Sequence, residues 1–386
     1  MTKLNPSAVL KFRVNKTSPP TPEAAWERIR AVRPADYART RNAIEGSVSH
    51  LSPYITHGFV SLREVYEGVA QSHPLNPQHK FVFELGWRAY FRHVWHHRGD
   101  AIFTSLHSGP LPDHQYSPSV PDDIRQANTG VNAIDMAIRG LYDTGSMHNH
   151  ARMWLASYMV HVRKIHWRAG ADWLYGHLLD GDLASNHLSW QWVAGTGSHK
   201  PYLFNAENVA RFAPEAWHSS GSVIDTTYEV LDRMARQALP AKGQPQTLSN
   251  SIEMPALMSS PPTSLNIGTP NSNVAKGRSV WLVHPWSLGE LPADLPKDSL
   301  VIGIFVSDFH RNWPWDEKRW LFVKSRMAEL TSECWYGDRL SIELALQDAK
   351  QVGGVSEAHI AAWLPSSGMY RSQPALFPNV ERRCDS

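Results

Sequence analysis

The amino-acid sequence predicts an all-α domain followed by a small α/β module with a parallel sheet. From about Pro22 to Arg236, apolar residues recur at helical spacing, and no segment alternates like a strand. Residues 237–278 are rich in Pro, Ser and Asn and have few large apolar side chains. From Ser279 onward, short β-rich runs alternate with helical patterns, which is typical of a parallel α/β sheet. The predicted regions are an N-terminal tail (1–22), a helical domain (23–236), a linker (237–278), the α/β module (279–365) and a C-terminal tail (366–386).

Local signals predict where the helices begin and end. Ser61 and Glu64 have the spacing of a capping box at the start of SLREVYEGV. The segment QHKFVFELGWRAYFRHVWHHRG is a helical pattern that ends at Gly99. The segment MHNHARMWLASYMVHVRKIHWRAG predicts the longest helix, with Gly170 as its end.

One face of that longest helix carries polar and aromatic candidates. Asn149 and Arg152 are three residues apart and share a face. Trp167 follows Asn149 by about five helical turns, so we expect it on the same face, far along the axis.

The α/β module has four candidate strands and two candidate helices. The strands are SVWLVH, LVIGIFV, ECWYG and AHIAAWLP, and the helices are DEKRWLFVKSRMAEL and SIELALQDAK. The module has neither a G-x-G-x-x-G sequence nor a Walker loop, so phosphate binding by those routes is not expected.

Composition excludes several classes of protein. The net charge of +2 gives no global basic field, so any phosphate-binding surface must be a local patch. Cys334 and Cys384 are the only cysteines, which excludes a disulfide framework and a four-cysteine metal site. A reducing, cytoplasmic location fits this best. No apolar run approaches the roughly 20 residues of a membrane span, so no membrane partner is expected. The first 22 residues lack acids and fit a transit peptide or, as we favour, a disordered tail.

The stretch DGDLASNHLSWQWVAGTG concentrates polar and aromatic residues. Asp180 and Asp182 flank one glycine, and a buried carboxylate there needs a cationic partner such as Arg152, or a metal. The alternative is that these acids simply cap the next helix. Together with Asn149 and several tryptophans (Trp167, Trp190 and Trp192), the Arg–Asp pair indicates a large planar redox cofactor.

Other interpretations of single motifs are weaker. Two acids one glycine apart seldom straddle a glycosidic bond. His93 and His97 have the spacing of helical metal ligands but no acid between them, so no metal site is assigned. The serines of GSVSHLSPY fit either phosphate binding or an ordinary turn and helix cap.

Four segments, in the same order, resemble the FAD-binding domain of DNA photolyases and cryptochromes over roughly residues 34–214. They are SHLSPYITHG, ELGWRAYFRH, TGVNAIDMAIRGLYDTGSMHNHARM and DGDLASNHLSWQWVAGTG. The resemblance implies an all-α photolyase-type domain that binds FAD. The residues it implies for cofactor binding are Tyr37, Ser49, Leu51, Ser52, Arg152, Asp180, Asp182 and Asn186.

The resemblance gives these residues distinct parts. Arg152 and Asp180 pair beside the isoalloxazine ring, Asp182 contacts the flavin edge, and Asn186 faces flavin N5. The serines with Leu51 hold the pyrophosphate. Trp190 and Trp167 match the first two members of the tryptophan chain that photoreduces the flavin.

Substrate residues also follow from the resemblance. Glu84 and Trp87 match residues that meet a flipped cyclobutane pyrimidine dimer, and Asn149 matches the residue that hydrogen-bonds it. The related (6-4) enzymes have histidine at the positions of Asn149 and Met153, so the cyclobutane class is favoured. The expected DNA contacts are Arg41, Arg88 and His150.

The chain also departs from the family pattern. Ser146, Ala89, Val48 and Phe81 replace family residues, and Tyr116 is the only stand-in for the third tryptophan. The α/β module resembles a relocated half of the family's antenna domain. It lacks W-F-R-x-D-L-R, so a second antenna chromophore is not expected.

The predicted function is FAD-dependent, blue-light-driven repair of cyclobutane pyrimidine dimers, with damaged DNA as the partner. The alternatives are a cryptochrome-like photosensor and a non-repair FAD-binding protein. A protein partner of the α/β module stays open.

Overall fold

A computed structural model describes residues 18–238 and 251–376. The described residues divide into two compact units. One, called here the helical unit, comprises residues 33–48 and 79–255. The other, the sheet unit, comprises residues up to 32, residues 49–78 and residues from 256 onward. The predicted tail 1–22 and linker 237–278 therefore lie partly outside the described residues, as does the end of the predicted C-terminal tail.

Helices dominate the first part of the chain, and strands occur only after residue 256 among the described residues. The α-helices in chain order are α1 (Pro22–Ala31), α2 (Pro34–Thr40), α3 (Ser52–Thr56), α4 (Leu62–Ala70), α5 (Lys80–Arg98), α6 (Asp122–Arg125), α7 (Asn132–Thr144), α8 (Asn149–Ser157), α9 (Trp167–His177), α10 (Leu183–Ala194), α11 (Ala206–Phe212), α12 (Tyr228–Ala235), α13 (Ser272–Ala275), α14 (Ser307–Asn312), α15 (Glu317–Leu330) and α16 (Arg339–Leu346). The strands are β1 (Leu257–Met258), β2 (Ser279–Val283), β3 (Leu300–Val306), β4 (Trp315–Asp316), β5 (Glu333–Gly337), β6 (Gln351–Ser356) and β7 (Met369–Ser372).

Several predicted helix ends are confirmed. Ser61 and Glu64 form both hydrogen bonds of a capping box at the start of α4. Helix α5 ends at Gly99, whose φ of 52° is open to glycine at little cost. Asp316 caps α15 by accepting a hydrogen bond from the backbone of Lys318.

The prediction of one long helix from residue 147 to 170 is wrong. Helix α8 ends at Ser157, a π-helical turn covers Tyr158–Val162, and α9 begins only at Trp167. Lys164 reverses the chain with a φ of 55°. Its buried ammonium donates to the carbonyls of His161, Met234 and Ala235 at 2.7, 2.5 and 3.1 Å, which holds the break in place. Asn149 and Trp167 therefore do not share a helix face, and the argument from one common face fails.

Gly170 lies inside α9 and does not end a helix. A Cβ atom on Gly170 would lie 2.4 Å from the indole ring of Trp190 in α10. The glycine is therefore explained by the close approach of α9 and α10, not by a turn.

The core of the helical unit lies among α7, α8, the π turn, α9 and α10. Its fully buried members include Ile134, Trp154, Tyr158 and Leu174. This core fixes the two helix starts, at residues 149 and 183, where the candidate site residues lie.

The sheet unit contains a five-stranded parallel sheet in the order β5-β3-β2-β6-β7. Strand β2, the first of these five in the chain, lies in the middle of the sheet. The chain then adds β3 and β5 on one side of β2 and β6 and β7 on the other, as in a doubly wound fold. The predicted strands at β2, β3 and β5 are confirmed. The predicted strand AHIAAWLP is wrong, because it contains only a 3-10 turn at Ala361–Trp363. The strand that is present instead is β6, which pairs with β2. A Cβ atom at its Gly353 would lie 3.2 Å from the ring of Trp281, so a glycine occupies this position. The segment therefore lacks the β-branched residues by which a strand is usually predicted.

The sheet unit takes in residues that the sequence assigns elsewhere. His57 Nδ1 lies 2.6 Å from the carbonyl oxygen of Pro285, and the amide of Leu288 donates to the carbonyl of His57 at 2.9 Å. Residues 49–78, predicted in the helical domain, thus pack with the chain that follows β2. The compact units cut across the predicted domain boundaries, which stay a prediction about family modules.

The described part of the predicted linker, residues 251–278, differs from a solvated linker. Strand β1 pairs with β4, and Gly268 exchanges backbone hydrogen bonds with Cys334 and Tyr336 of β5. Backbone pairing with the sheet edges orders this segment although it offers little apolar surface. Within the described residues, no helix is both long enough and apolar enough to cross a membrane.

Candidate functional site

The ion pair predicted between Arg152 and Asp180 is present at the start of the site. Arg152 Nη2 donates to both carboxylate oxygens of Asp180 at 2.9 Å. Arg152 Nε donates to the carbonyl of Met147 at 2.9 Å, which fixes the guanidinium on the first turn of α8. The Asp180 side chain is almost fully buried, so the pair satisfies the need of a buried carboxylate for a cationic partner.

Asp182 both caps a helix and binds arginines. Its Oδ1 accepts from the amide of Ser185 at 2.8 Å, so the capping interpretation is confirmed for this residue. Its Oδ2 lies 3.1 Å from Arg92 Nη2 and 3.5 Å from Arg88 Nη2. The Asp182 side chain is only 1% exposed. Two arginines around one buried carboxylate leave positive charge at this spot.

Asn186 presents an acceptor near the same helix start. Its side-chain Nδ2 donates to the carbonyl of Ala171 at 2.8 Å, which fixes the amide plane. Among the described residues no donor is hydrogen-bonded to its side-chain carbonyl oxygen. That oxygen suits an N–H donor of a bound group, such as the N5–H of a reduced flavin.

Helix α5 carries Glu84 and Trp87 on its solvent side. Glu84 Oε1 lies 3.0 Å from Lys80 Nζ and 3.4 Å from Arg41 Nε. Trp87 is 39% exposed and packs edge-on or tilted against the rings of Phe83, Tyr90 and Phe91. An exposed indole within an aromatic cluster is a surface on which a planar base can stack.

Arg88, predicted to contact DNA, points to the carboxylate of Asp182. Its side chain is mostly buried there. One turn later, Arg92 reaches the same carboxylate. Arg92 is not among the residues predicted from the sequence, although its spacing of four residues from Arg88 on one helix is a usable signal.

Asn149 and His150 lie at the first turn of α8 and differ in exposure. The Asn149 side chain is exposed, and its amide nitrogen lies 3.8 Å from Met153 Sδ. His150 is buried, with Nδ1 2.7 Å from the carbonyl of Asn42 and Nε2 3.3 Å from the hydroxyl of Tyr202. Burial lowers the pKa of His150, which favours the neutral ring over a phosphate-binding cation.

Trp190 and Trp167 are both buried in the helical unit. Trp190 packs against Gly170. Trp167 Nε1 donates to the hydroxyl of Ser105 at 3.0 Å, and the Trp167 ring lies 6.4 Å, edge to face, from His187. Both indoles are therefore held in single orientations.

The remaining predicted cofactor residues are spread over the two units. Tyr37, in the helical unit, packs edge-on against Phe81, and burial raises the pKa of its hydroxyl. Ser49, Leu51 and Ser52 belong to the sheet unit, where the amide of Leu51 donates to Ser49 Oγ at 3.4 Å and Ser52 begins α3. A common site for these three residues and the helical unit stays a prediction.

Trp192 is a candidate to which the sequence analysis assigned no role of its own. It is 44% exposed and lines an open cavity of about 450 Å³ with His199, Lys200 and Tyr202. Residues two apart on a helix point in nearly opposite directions, so a buried Trp190 implies an exposed Trp192. That signal was available in the sequence W-Q-W.

The described residues contain no group of three or more His, Cys, Asp or Glu side chains that could hold a metal ion. His93 and His97 lie with ring centroids 4.3 Å apart but belong to no such group.

Comparison with known proteins matches a part of the chain that includes Glu84, Arg152, Asp180 and Asp182. A family model described as the FAD binding domain of DNA photolyase matches residues 81–251. Over this region the chain is similar to the photolyase/cryptochrome family. The deoxyribodipyrimidine photo-lyase of Streptomyces griseus is 36% identical over 218 residues, which are 52% of this chain and 47% of that protein. Cryptochrome DASH of Xenopus laevis is 33% identical over 42% of this chain and 33% of its own length.

Solved structures of this photolyase/cryptochrome family are also similar in part. A cryptochrome from Synechocystis sp. PCC6803 is 28% identical, with a TM-score of 0.45, over 50% of this chain and 43% of that one. The chain thus spans less than half the length of these relatives, and the matches name both photolyases and cryptochromes.

Proposed function

We propose that this chain binds FAD and uses blue light to drive electron transfer that repairs cyclobutane pyrimidine dimers in DNA. One observation carries the proposal: helix α5 presents two chemistries side by side. Arg88 and Arg92 neutralise the buried Asp182, which the resemblance assigns to the flavin edge. Glu84 and Trp87, which it assigns to the dimer, occupy the adjacent turn on the solvent side. A flavin and a dimer bound to one helix would be close enough for direct electron transfer.

The residues of the helical unit fit FAD. Arg152 and Asp180 form a fixed polar pair, Asp182 is surrounded by arginines, and Asn186 offers a free acceptor oxygen. FAD, when bound, absorbs blue light and exchanges single electrons. Tyr37, Ser49, Leu51 and Ser52 complete the proposed cofactor set, with the serines at the pyrophosphate.

The proposed substrate residues act by stacking and hydrogen bonding. Trp87 offers an exposed ring on which an extruded base can stack, which contributes roughly 1–3 kcal/mol per base. Glu84 is oriented by Lys80 and Arg41, and the exposed amide of Asn149 can donate to a pyrimidine carbonyl. Trp192 is added as a second exposed aromatic side chain.

DNA contacts are revised within this proposal. Arg41 is partly exposed and stays a candidate phosphate ligand. Arg88 is reassigned from DNA to the flavin site, because its guanidinium lies beside Asp182. His150 is also removed from the DNA contacts, because it packs in the interior and positions the start of α8.

The sheet unit is not assigned a second chromophore. A doubly wound sheet takes ligands in the crevice at the carboxyl ends of its central strands. In this chain Trp286, just after β2, stacks on His359, just after β6, with ring centroids 4.9 Å apart. Both side chains are fully buried, so they occupy part of the space at the ends of these two strands.

The test is light-dependent repair of a single-stranded oligonucleotide that carries one thymine dimer, followed by recovery of thymine absorbance. We expect recovery in blue light and none in the dark. Asn149→Ala lowers dimer affinity by up to roughly tenfold, the value of one hydrogen bond, and leaves flavin bound. Asn132→Ala is the matched control, because Asn132 is also an exposed asparagine at the first residue of a helix.

The alternative is a photosensor, favoured by relatives named cryptochrome DASH and by the two buried tryptophans. A yellow, photoreducible protein that leaves the dimer unrepaired would overturn the repair proposal in favour of sensing. A protein that purifies without flavin would overturn both.

A further inference from the structure

Trp167 begins a hydrogen-bonded chain that ends at a carboxylate. Its indole Nε1 donates to Ser105 Oγ at 3.0 Å. Ser105 Oγ lies 3.2 and 3.0 Å from the two carboxylate oxygens of Asp113. An indole N–H can only donate and an ionised carboxylate can only accept, so the direction of the chain is fixed: Trp167 to Ser105 to Asp113.

The chain connects the interior with water. Trp167 is 2% exposed, whereas the Asp113 side chain is 54% exposed. His166 Nε2 lies 3.5 Å from the same carboxylate, and Tyr116 is a second titratable group, whose pKa is raised by burial and by the Asp113 charge. A proton that leaves the buried indole nitrogen therefore has a route to solvent through one hydroxyl and one carboxylate.

An indole needs such a route only when it loses an electron. A neutral indole holds its N–H proton very tightly, but the one-electron-oxidised ring is a far stronger acid at the same nitrogen, comparable with a carboxylic acid. This makes the contact from Trp167 to Ser105 chemically useful in an electron-transfer protein, since in an ordinary core it would only satisfy one buried donor.

We propose that Ser105 and Asp113 form a proton relay that traps the oxidised state of Trp167. The inference rests on the proposed function, in which light removes an electron from Trp190 and Trp190 regains one from Trp167. The Trp167 Nε1 proton then passes to Ser105 Oγ while the Ser105 hydroxyl proton passes to Asp113, which becomes a carboxylic acid and exchanges its proton with water. The product is a neutral indolyl radical, a weaker oxidant than the protonated one, so the electron returns more slowly.

The relay also fits the absence of a third tryptophan. The segment GPLPDHQYSPSVPDD contains Asp113 but no tryptophan. Tyr116, in the same segment, contacts His166, with ring centroids 6.2 Å apart. Loss of a proton from Trp167 can hold the charge separation without a further ring, and Tyr116 as an electron donor is the competing outcome.

The test is flash transient absorption on the flavin-loaded chain, which distinguishes protonated from neutral indolyl radicals. In the native chain we expect conversion of the protonated into the neutral radical, slower in heavy water. Ser105→Ala and Asp113→Asn slow this conversion by roughly 100-fold, the range of one positioned acid–base group. Asp113→Glu restores most of it, and Asp122→Asn is the matched control, an exposed aspartate of the same unit.

A conversion rate unchanged by both Ser105→Ala and Asp113→Asn would overturn the relay. So would a tyrosyl radical in the native chain that disappears in Tyr116→Phe. Either result leaves the proposed function standing, because photoreduction still occurs.

A second measurement needs no flavin and separates the two failures. In the chain labelled with nitrogen-15 tryptophan, the Trp167 indole N–H resonance is identified by its loss in Trp167→Phe. We expect its position to differ between the native chain and Asp113→Asn at the same pH, because the substitution removes the charge at the end of the hydrogen-bonded chain. The same position in both chains would overturn the relay directly, whereas absence of bound flavin or of any radical would overturn the proposed function and, with it, the relay that rests on it.

Discussion

The two units differ in how their aromatic side chains relate to solvent. In the helical unit three tryptophans are connected to the surface: Trp87 and Trp192 are exposed, and the buried Trp167 reaches water through Ser105 and Asp113. In the sheet unit the cluster at the ends of β2 and β6 is buried, and Trp286 there packs against Phe309, Trp315 and His359.

This difference teaches that fold type alone does not locate a site. The doubly wound sheet has the topology that usually offers a ligand crevice, but buried side chains occupy part of that space. The helical unit has no such general rule, and its candidate site is found only from particular residues such as Asp182 and Glu84.

The largest expected effect distinguishes a buried tryptophan from an exposed one. Trp286→Ala removes a fully buried ring that is stacked on His359. We expect it to lower the free energy of unfolding by about 3–5 kcal/mol. Trp87→Ala is the matched control and lowers that free energy by a smaller amount, about 1 kcal/mol, because the ring is partly exposed and loses only its contacts with neighbouring rings. Urea unfolding of both variants measures this; equal losses would contradict the contrast between the units.

A smaller effect, present in both units, is a loss of stability in acid. Burial lowers the pKa of His161 in the helical unit and of His284 in the sheet unit to about 4. The ordinary value is about 6.5, so between pH 6.5 and 4 the unfolded chain binds more protons than the folded chain, and stability falls as the pH falls. At pH 5 each histidine costs roughly 2 kcal/mol relative to pH 7.

Amide hydrogen exchange at pH 7 and pH 5 reads the two units separately. We expect protection to fall in both. His161→Gln reduces the acid-dependent loss in the helical unit only, and His284→Gln reduces it in the sheet unit only. Burial also lowers the pKa of His150 and His187 in the helical unit and of His310 in the sheet unit, so part of the loss stays. Equal acid sensitivity in a variant and the native chain would show that another group controls stability there.

The sequence predicts local features well, as this comparison makes clear. The capping box at Ser61, the helix end at Gly99 and the ion pair between Arg152 and Asp180 follow from nearby residue types and spacing. Each depends on contacts that neighbouring turns can make without the rest of the fold, or on a buried charge that must find a partner.

Features set by distant contacts were missed. The break after α8 depends on Lys164, whose ammonium binds carbonyls about 70 residues later in the chain. Strand β6 depends on Gly353 fitting against Trp281 of a neighbouring strand. The arginine pair around Asp182 joins residues 90 positions apart. Residue types alone carry little information about such contacts.

The smallest expected effect tests whether the close approach of α9 and α10 matters for the buried tryptophans. In Gly170→Ala the new Cβ would lie 2.4 Å from two ring atoms of Trp190, so the indole must shift. Overpacking of this kind costs about 1–3 kcal/mol, and alanine offsets about 0.5–1 kcal/mol of it through its better helix propensity. We expect a net loss of about 1 kcal/mol in urea unfolding, together with slower photoreduction, because the ring nearest the proposed flavin has moved.

Gly140→Ala supplies the control for Gly170→Ala. Gly140 also lies inside a helix, α7, but a Cβ there would meet no atom within 4 Å. That variant therefore gains about 0.5–1 kcal/mol and leaves photoreduction unchanged. If Gly170→Ala behaved like Gly140→Ala in both measurements, the position of the Trp190 ring would not depend on this glycine. The buried Trp286 of the sheet unit and the tryptophans of the helical unit would then differ in exposure but not in how tightly the surrounding helices fix their rings.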